Sequence, residues 1–211
     1  MFVLPNSVFL LVMKKFYFVL PIVLVFLVLP WIPLKKIPEP PEVISELPEF
    51  ILTNQDGKPF GSANLKGKVY IASFIFTSCP TVCPLITNRM VQLQAKFKES
   101  KLPIELVSFS VDPGNDSPSI LKDYANKYHA DTSSWNFLTG PQIDMLNLLE
   151  KGFMVPMGEK IPMKSQYDIS HTQKLVLIDQ KGNIRGYYSS QTEEGLDEIY
   201  NRAQHVLFLV K

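Results

Sequence analysis

An apolar stretch without charged residues, FYFVLPIVLVFLVLPWIPL at residues 16–34, constrains this chain more than any other feature. A helix of this length, at about 1.5 Å per residue, approaches the roughly 30 Å hydrocarbon core of a bilayer. A helix buried in a soluble domain is the alternative, but the stretch has no polar face to turn toward water. It therefore predicts a transmembrane anchor, and the remaining chain has to fold outside the membrane.

The flanks of this stretch bear on cleavage and orientation. A cleaved signal peptide would have a shorter apolar core and a small-residue cleavage site, whereas this stretch runs into LPWIPLKK. Lysine pairs at 14–15 and 35–36 nearly balance, so orientation depends on the N-terminal amine and the first pair staying in the cytoplasm. We expect a single-pass protein of the cell (inner) membrane, with its C-terminal domain on the non-cytoplasmic, periplasmic side.

The sequence on either side of the anchor divides further. Residues 1–15 form a short N-terminal segment, and Met13 resembles the natural start of a membrane-targeted bacterial protein, so residues 1–12 are interpreted as a start-site artefact. Residues 35–47 are rich in proline and glutamate, which favour a stiff, extended spacer. Residues 48–211 are enough for one domain with its own core.

The domain alternates between strand and helix patterns. Continuous apolar runs rich in β-formers predict buried strands at 69–76 and 104–111. Apolar positions at helical spacing predict a helix over 85–99, and Ser117 followed by Pro118 predicts the start of another. The other predicted elements are a hairpin at Asp56-Gly57, a strand at 135–138, a helix at 142–151, strands at 174–179 and 184–190, and a helix at 193–210. This alternation indicates an α/β fold with a mixed central sheet.

The two cysteines, Cys79 and Cys83, form a C-x-x-x-C motif directly after the first buried strand. Pro84 lacks an N–H and cannot lie deep in a helix, so the following helix begins no earlier than about residue 81. Both sulfurs are therefore expected at a helix N-terminus, where the dipole and the free N–H groups stabilise thiolate. This placement predicts exposed thiols with a lowered pKa.

The spacing alone does not separate a redox couple from a metal clamp, and two structural interpretations also remain. A disulfide across so small a ring would add only about 2 kcal/mol, which a domain of this size does not need. Inert core cysteines are the other structural interpretation, against which the flanking prolines and the helix start argue. A third ligand would have to decide between redox and metal chemistry.

Three histidines are candidates for that ligand. His129 ends a polar helix, where imidazole often caps carbonyls, and His205 lies in the last helix, so both have ordinary structural interpretations. His171 comes just before a predicted central strand, in the kind of loop where α/β folds place function. It is the candidate functional histidine.

Three motifs taken together resemble the Sco/SenC family: FTSCPTVCP, the D-P-x-x-D of Asp112 and Asp116, and the Y-x-x-x-H-T that contains His171. One anchor followed by one domain is also that family's layout. Its members are copper-binding assembly factors for the dinuclear copper site of cytochrome c oxidase. The resemblance implies a thioredoxin-like fold, and it implies that Cys79, Cys83 and His171 are the metal ligands.

The chemistry of these residue types agrees with the resemblance. Two soft thiolates and one imidazole suit copper, especially Cu(I), with Cu(II) also considered. Zinc is the competing occupant, but structural zinc usually has four ligands. The expected partners are the copper-carrying subunit of cytochrome c oxidase, a copper donor protein and a thiol–disulfide reductant. The net charge of +1 gives no broad field for nucleic acid, which is not expected as a partner.

The motifs leave some roles open. Many family members have aspartate directly before the histidine, whereas this chain has Ser170, which adds no charge to the imidazole. Asp112 and Asp116 are expected to be structural, in a turn followed by a helix cap. The segment after residue 152 predicts an irregular loop, and its methionines either pack that loop or help relay Cu(I): Met154, Met157 and Met163.

Three other functions compete with copper delivery. A membrane-tethered thiol–disulfide oxidoreductase would use Cys79 and Cys83 and would not need His171. A peroxiredoxin is matched only loosely, by the spacing of Thr77 and Cys79. A purely structural interaction domain would leave the cysteine motif without a role.

Overall fold

The computed structural model describes residues 39–158, 160–162, 167–169 and 172–209. Several predictions concern residues outside these ranges, namely the N-terminal segment, the anchor, Met163, Ser170 and His171. Within the described ranges, no helix combines the length and the apolarity that crossing a bilayer requires.

Ten strands build two sheets. They are β1 (Ser45–Glu46), β2 (Ile51–Asn54), β3 (Pro59–Gly61), β4 (Val69–Ile75), β5 (Ile104–Ser110), β6 (Trp135–Thr139), β7 (Lys160–Pro162), β8 (Tyr167–Ile169), β9 (Lys174–Ile178) and β10 (Asn183–Ser189). Eight of them form one sheet in the order β1-β10-β9-β4-β5-β6-β2-β3. The pairs of β5 with β4 and β6 are parallel and the other pairs are antiparallel, which confirms the predicted mixed sheet.

Four of the five described helices lie where the sequence analysis predicted them, and α1 was not predicted. They are α1 (Ser62–Leu65), α2 (Val82–Glu99), α3 (Pro118–Lys127), α4 (Gln142–Asn147), which continues as a π-helix over Leu148–Gly152, and α5 (Glu193–Leu209). Thr81 is the N-cap of α2, as the position of Pro84 in the sequence required. Ser117 caps α3 and accepts a hydrogen bond from the backbone N–H of Ile120.

The parallel pair at the centre of the sheet positions the loops that matter for function. Every residue of β4 is buried, and β4 and β5 stay in register to their ends at Ile75 and Ser110. The turn that carries Cys79, residues 76–81, follows β4 and is called the cysteine turn. The turn that carries Asp112 and Asp116, residues 111–117, follows β5. Because the carboxyl ends of parallel strands meet at one edge of a sheet, these two turns lie side by side.

Part of the predicted spacer packs on the sheet. β1 pairs with β10, and the backbone N–H groups of Ile44 and Leu47 donate to carbonyls of the β10 strand and its preceding turn, at 2.9 and 3.0 Å. Residues 44–47 therefore extend the sheet at one edge. The division of the chain at residue 47 stays a prediction.

The segment after the π-helix is not irregular throughout, and this part of the sequence analysis is wrong. β7 and β8 form a two-stranded antiparallel sheet in which Lys160 pairs with Ile169 and Pro162 with Tyr167. Strands of three residues are too short to show a two-residue period, so no sequence pattern predicts them. Of the methionines here, Met154 is 47% exposed and has a φ of 52°, whereas Met157 packs partly buried against the core.

Candidate metal centre

Cys79 lies in the turn that joins β4 to α2, and Cys83 is the second residue of α2. The sulfur of Cys79 lies 3.4 Å from the backbone nitrogen of Cys83, and the sulfur of Cys83 lies 3.5 Å from the backbone nitrogen of Phe76. The hydroxyl of Thr81 is 3.7 Å from the Cys79 sulfur, and the two cysteine side chains hydrogen-bond to each other. The turn and the start of α2 thus hold two sulfurs together among backbone N–H groups, as a soft metal ion or a disulfide requires.

The predicted exposure of these thiols is wrong. Cys79 is 6% exposed and Cys83 is fully buried. The hydrogen bond with Cys79 and the burial both raise the pKa of Cys83, and the backbone N–H of Phe76 offsets them only in part, so the expected lowering is wrong for this thiol. Cys83 is protonated at neutral pH, and a metal ion that binds there has to displace its proton.

Asp116 fastens the cysteine turn to the end of β5. Its carboxylate accepts hydrogen bonds from the backbone N–H and the hydroxyl of Thr77, at 3.2 and 2.6 Å, and from the hydroxyl of Ser110 at 2.6 Å. Burial raises the pKa of Asp116 despite these bonds. Asp116 therefore has a structural role, as expected. It joins the cysteine turn to the end of β5, whereas the cap of α3 is Ser117.

Asp112 fastens the β7–β8 hairpin to the same edge of the sheet. Its carboxylate lies 2.7 Å from the ammonium of Lys160, accepts a hydrogen bond from Asn115 at 2.9 Å and accepts another from the hydroxyl of Tyr167. Burial alone would raise the pKa of Asp112, but these partners hold it below its usual value. The sequence did not indicate Lys160, because nothing in it reveals the short strand that carries this residue.

Tyr167 lies directly on the cysteine turn. Its hydroxyl accepts a hydrogen bond from Ser78 at 3.0 Å, and its ring stacks on Phe76 with the ring centroids 5.8 Å apart. β8 ends at the buried Ile169, and His171 follows two positions later in the sequence. Tyr167 is therefore the described residue of this motif that contacts the cysteine turn, through Ser78 and Phe76.

The complete ligand set is not among the described residues. No three histidine, cysteine or acidic side chains within the described part of the chain are grouped to hold a metal ion. Cys79 and Cys83 come together as predicted, whereas His129 lies just after α3, which ends at Lys127, and His205 lies in α5. The assignment of His171 as third ligand stays a prediction.

The sequence and the fold both match known proteins. The SCO1/SenC family model matches residues 39–207. The chain belongs to the SCO1/SenC family. The family that the sequence motifs predicted is thereby confirmed, and the mixed α/β sheet agrees with the thioredoxin-like fold of that family.

Three Sco relatives illustrate the match. The SCO1 protein homolog of Bacillus subtilis is 35% identical over 159 residues, which cover 73% of this chain and 79% of that protein. The structure of BsSco, described as a cytochrome c oxidase assembly protein with a disulfide switch, has a TM-score of 0.72 at 31% identity and covers 82% of this chain and 99% of its own. Yeast Sco1 with copper bound has a TM-score of 0.63 at 26% identity, with 76% and 89% covered.

Proposed function

We propose that this Sco protein is a copper chaperone. It binds copper as cargo through Cys79, Cys83 and His171 and delivers the ion to the dinuclear copper site of cytochrome c oxidase, or prepares the cysteines of that site. The observation that carries the proposal is the pair of adjacent thiols beneath the hairpin that leads to His171. Sco relatives with copper bound support the choice of metal.

The residues present fit such a cargo. Two sulfur ligands and an imidazole favour copper over harder ions, and three protein ligands leave an open side for transfer. The thiol of Cys83 loses its proton on binding, so uptake releases acid and weakens as the pH falls. Backbone N–H groups from Cys83 and Phe76 remain directed at the two sulfurs and stabilise their negative charge.

A second function, thiol–disulfide exchange, is favoured by the same pair of sulfurs. The two cysteine side chains hydrogen-bond to each other, and BsSco is described as containing a disulfide switch. Such an exchange requires both cysteines and does not require His171. Reduction of an acceptor's cysteines would also prepare them to take copper, so the two functions are compatible.

The setting of this chemistry is part of the proposal. The uncharged stretch at 16–34 anchors the chain in the cell membrane, and the copper-binding domain lies on the periplasmic side. There it meets the copper-carrying subunit of cytochrome c oxidase, a copper donor and a thiol–disulfide reductant. When an acceptor's disulfide takes two electrons from Cys79 and Cys83, the acceptor gains two thiols and this pair becomes a disulfide, which removes both thiolates and would release Cu(I).

Competition with a chromophoric Cu(I) chelator tests the ligand set. The reduced full-length protein should bind one copper per chain. His171→Ala should weaken binding by more than about 100-fold, because losing a ligand costs at least as much as losing a residue that only hydrogen-bonds to a ligand. The matched control is His129→Asn, because asparagine tolerates the φ of 55° at that position and should leave affinity unchanged. A His171→Ala protein that holds copper as tightly as the parent would contradict the three-ligand site.

The same variants separate the two functions. If the His171→Ala protein reduces a model disulfide at the parental rate and yet loses copper binding, that result would assign the histidine to copper binding alone. Cys79→Ser and Cys83→Ser should each abolish both activities. A parent that exchanges disulfides and binds no copper would favour the oxidoreductase.

A further inference from the structure

The buried carboxylate of Asp112 lies between the β7–β8 hairpin and the turn after β5. Both strands of the hairpin reach Asp112, since Lys160 comes from β7 and Tyr167 from β8. The side-chain amide of Asn115 donates to the Asp112 carboxylate at 2.9 Å and to the Tyr167 hydroxyl at 3.2 Å. The carboxylate therefore joins the two strands of the hairpin to the turn after β5.

Tyr167 extends this connection to the cysteine turn. Its hydroxyl accepts from Ser78, the residue before Cys79, and its ring lies on Phe76 with only 15° between the ring planes. The ammonium of Lys160 lies 4.6 Å from the centroid of the Tyr167 ring, on top of this stack. A cation placed there interacts favourably with the ring as well as with the carboxylate.

The ion pair of Lys160 and Asp112 differs from an ordinary surface pair. The Lys160 side chain is 50% exposed, but that of Asp112 is only 2% exposed. An ion pair at the surface contributes little to stability. A buried carboxylate depends more on its hydrogen-bond donors, because water cannot take their place while the carboxylate is covered. Undocking of the hairpin therefore costs the hydrogen bonds of a charged group.

We propose that Asp112, Lys160 and Tyr167 form a polar latch that fastens the β7–β8 hairpin to the cysteine turn before copper arrives. Tyr167 precedes His171 by four residues, so the latch limits where the imidazole reaches and slows the departure of bound copper. The three residues act as positioning residues, since none of them is a proposed ligand. The part of this inference that concerns copper rests on the proposed function.

Amide hydrogen exchange of the reduced, metal-free, full-length protein tests the latch without copper. Tyr167→Phe keeps the ring but removes the hydroxyl, and Lys160→Met removes the cation from a chain of similar length. Each should raise exchange in β7 and β8 by about tenfold, the factor that corresponds to about 1.4 kcal/mol. Lys160→Arg keeps a cation that can contact both the Asp112 carboxylate and the Tyr167 ring, so this variant should show parental exchange.

The chain offers a matched control at Tyr200. Its hydroxyl bonds to Ser100 at 2.7 Å, its ring stacks on Phe97 with the centroids 5.3 Å apart, and the ammonium of Lys96 lies 5.4 Å from its centroid. Tyr200→Phe thus removes the same kind of hydroxyl from the same kind of stack, on α5. It should change neither exchange in β7 and β8 nor the rate of copper release.

Copper release is the second readout. After loading with Cu(I), transfer to excess chromophoric chelator should be about tenfold faster from Tyr167→Phe than from the parent or from Tyr200→Phe. Unchanged exchange in β7 and β8, or faster exchange with unchanged release, overturns the latch. A parent that takes up no copper contradicts the proposed function instead, and the exchange result still decides whether these side chains fasten the hairpin.

Discussion

Asp112 and Asp116 show how the partners of a buried carboxylate decide its charge. Both are 1% exposed, and burial alone would raise both pKa values. The pKa of Asp112 is lowered because one of its donors, Lys160, is a cation. Among the described residues, the donors to Asp116 are the neutral groups of Thr77 and Ser110, and its pKa is raised. Asp112 therefore carries the negative charge that the latch needs.

Ser170 offers a test of how the residue beside His171 affects the metal. Ser170→Asp should strengthen copper binding, on the order of tenfold, because a carboxylate directed at the imidazole increases its basicity. The gain should be larger for Cu(II) than for the softer Cu(I), which depends more on the sulfurs. Chelator competition with each ion measures both effects, and unchanged affinities for both would mean that position 170 does not address the histidine.

The sequence predicted which residues meet at the site better than it predicted their environment. The spacing of Cys79, Cys83 and Pro84 placed both sulfurs at the start of a helix, and the helix begins there. It could not reveal that the thiols face inward, because exposure depends on the neighbouring turns that cover them. The contacts of Tyr167 were equally hidden, since they depend on pairing between segments distant in the chain.

At the level of secondary-structure elements, the turn between β9 and β10 is organised by one fully buried carboxylate, that of Asp179. It accepts hydrogen bonds from the backbone N–H groups of Lys181 and Asn183, both at 2.9 Å, and from the guanidinium of Arg185 at 2.7 and 2.8 Å. Arg185 also donates to the carbonyl of Pro41 at 2.9 Å. The same carboxylate thus holds the turn, β10 and the chain that leads into β1.

Asp179→Asn should destabilise the domain by about 3 kcal/mol at pH 7, because it leaves the Arg185 cation without its buried counter-charge. Burial would raise the pKa of Asp179, but hydrogen bonds from Asn183, Arg185 and Lys181 lower it. Stability from such a group is present above its unfolded pKa of about 3.9 and is lost as the pH falls through the folded value. The difference from the parent should therefore shrink below about pH 4.

Urea unfolding of the fragment 39–211, which forms a compact unit of its own, measures this difference at pH 7 and pH 3. The control is Asp197→Asn, which removes a carboxylate that is 61% exposed and pairs with Lys96. It should change the free energy of unfolding by less than about 1 kcal/mol. Equal effects of the two variants at pH 7 would contradict the role assigned to Asp179.

Elements with a long pattern were predictable and short ones were not. β4 and β5 were predictable as strands because each is a continuous apolar run rich in β-formers. α2 was predictable as a helix because its apolar residues recur at helical spacing. β1 has two residues and exists only because β10 offers an edge to pair with. Whether such a short strand forms depends on tertiary contacts, which no local sequence pattern records.

At the scale of the whole molecule, strand order determines which loops can cooperate. Parallel pairing of β4 with β5 brings the turns after both strands to one edge, and the carboxylates of the second turn hold the first turn and the hairpin. The α/β class followed from the alternation of patterns, and the family followed from three separated motifs. Bringing the cysteine turn, the two aspartates and Tyr167 together required the sheet, because they are far apart in sequence.

The uncharged stretch at residues 16–34 predicts that the full-length protein stays in the membrane fraction after washing with high salt, since salt removes only electrostatically bound proteins. A variant without residues 1–34 is the control and should appear in the soluble fraction. Protease added to intact spheroplasts should digest the C-terminal domain, because the proposed function requires that domain on the periplasmic side. Soluble protein beginning near residue 35 would show a cleaved signal peptide, and digestion only after lysis would show the opposite orientation.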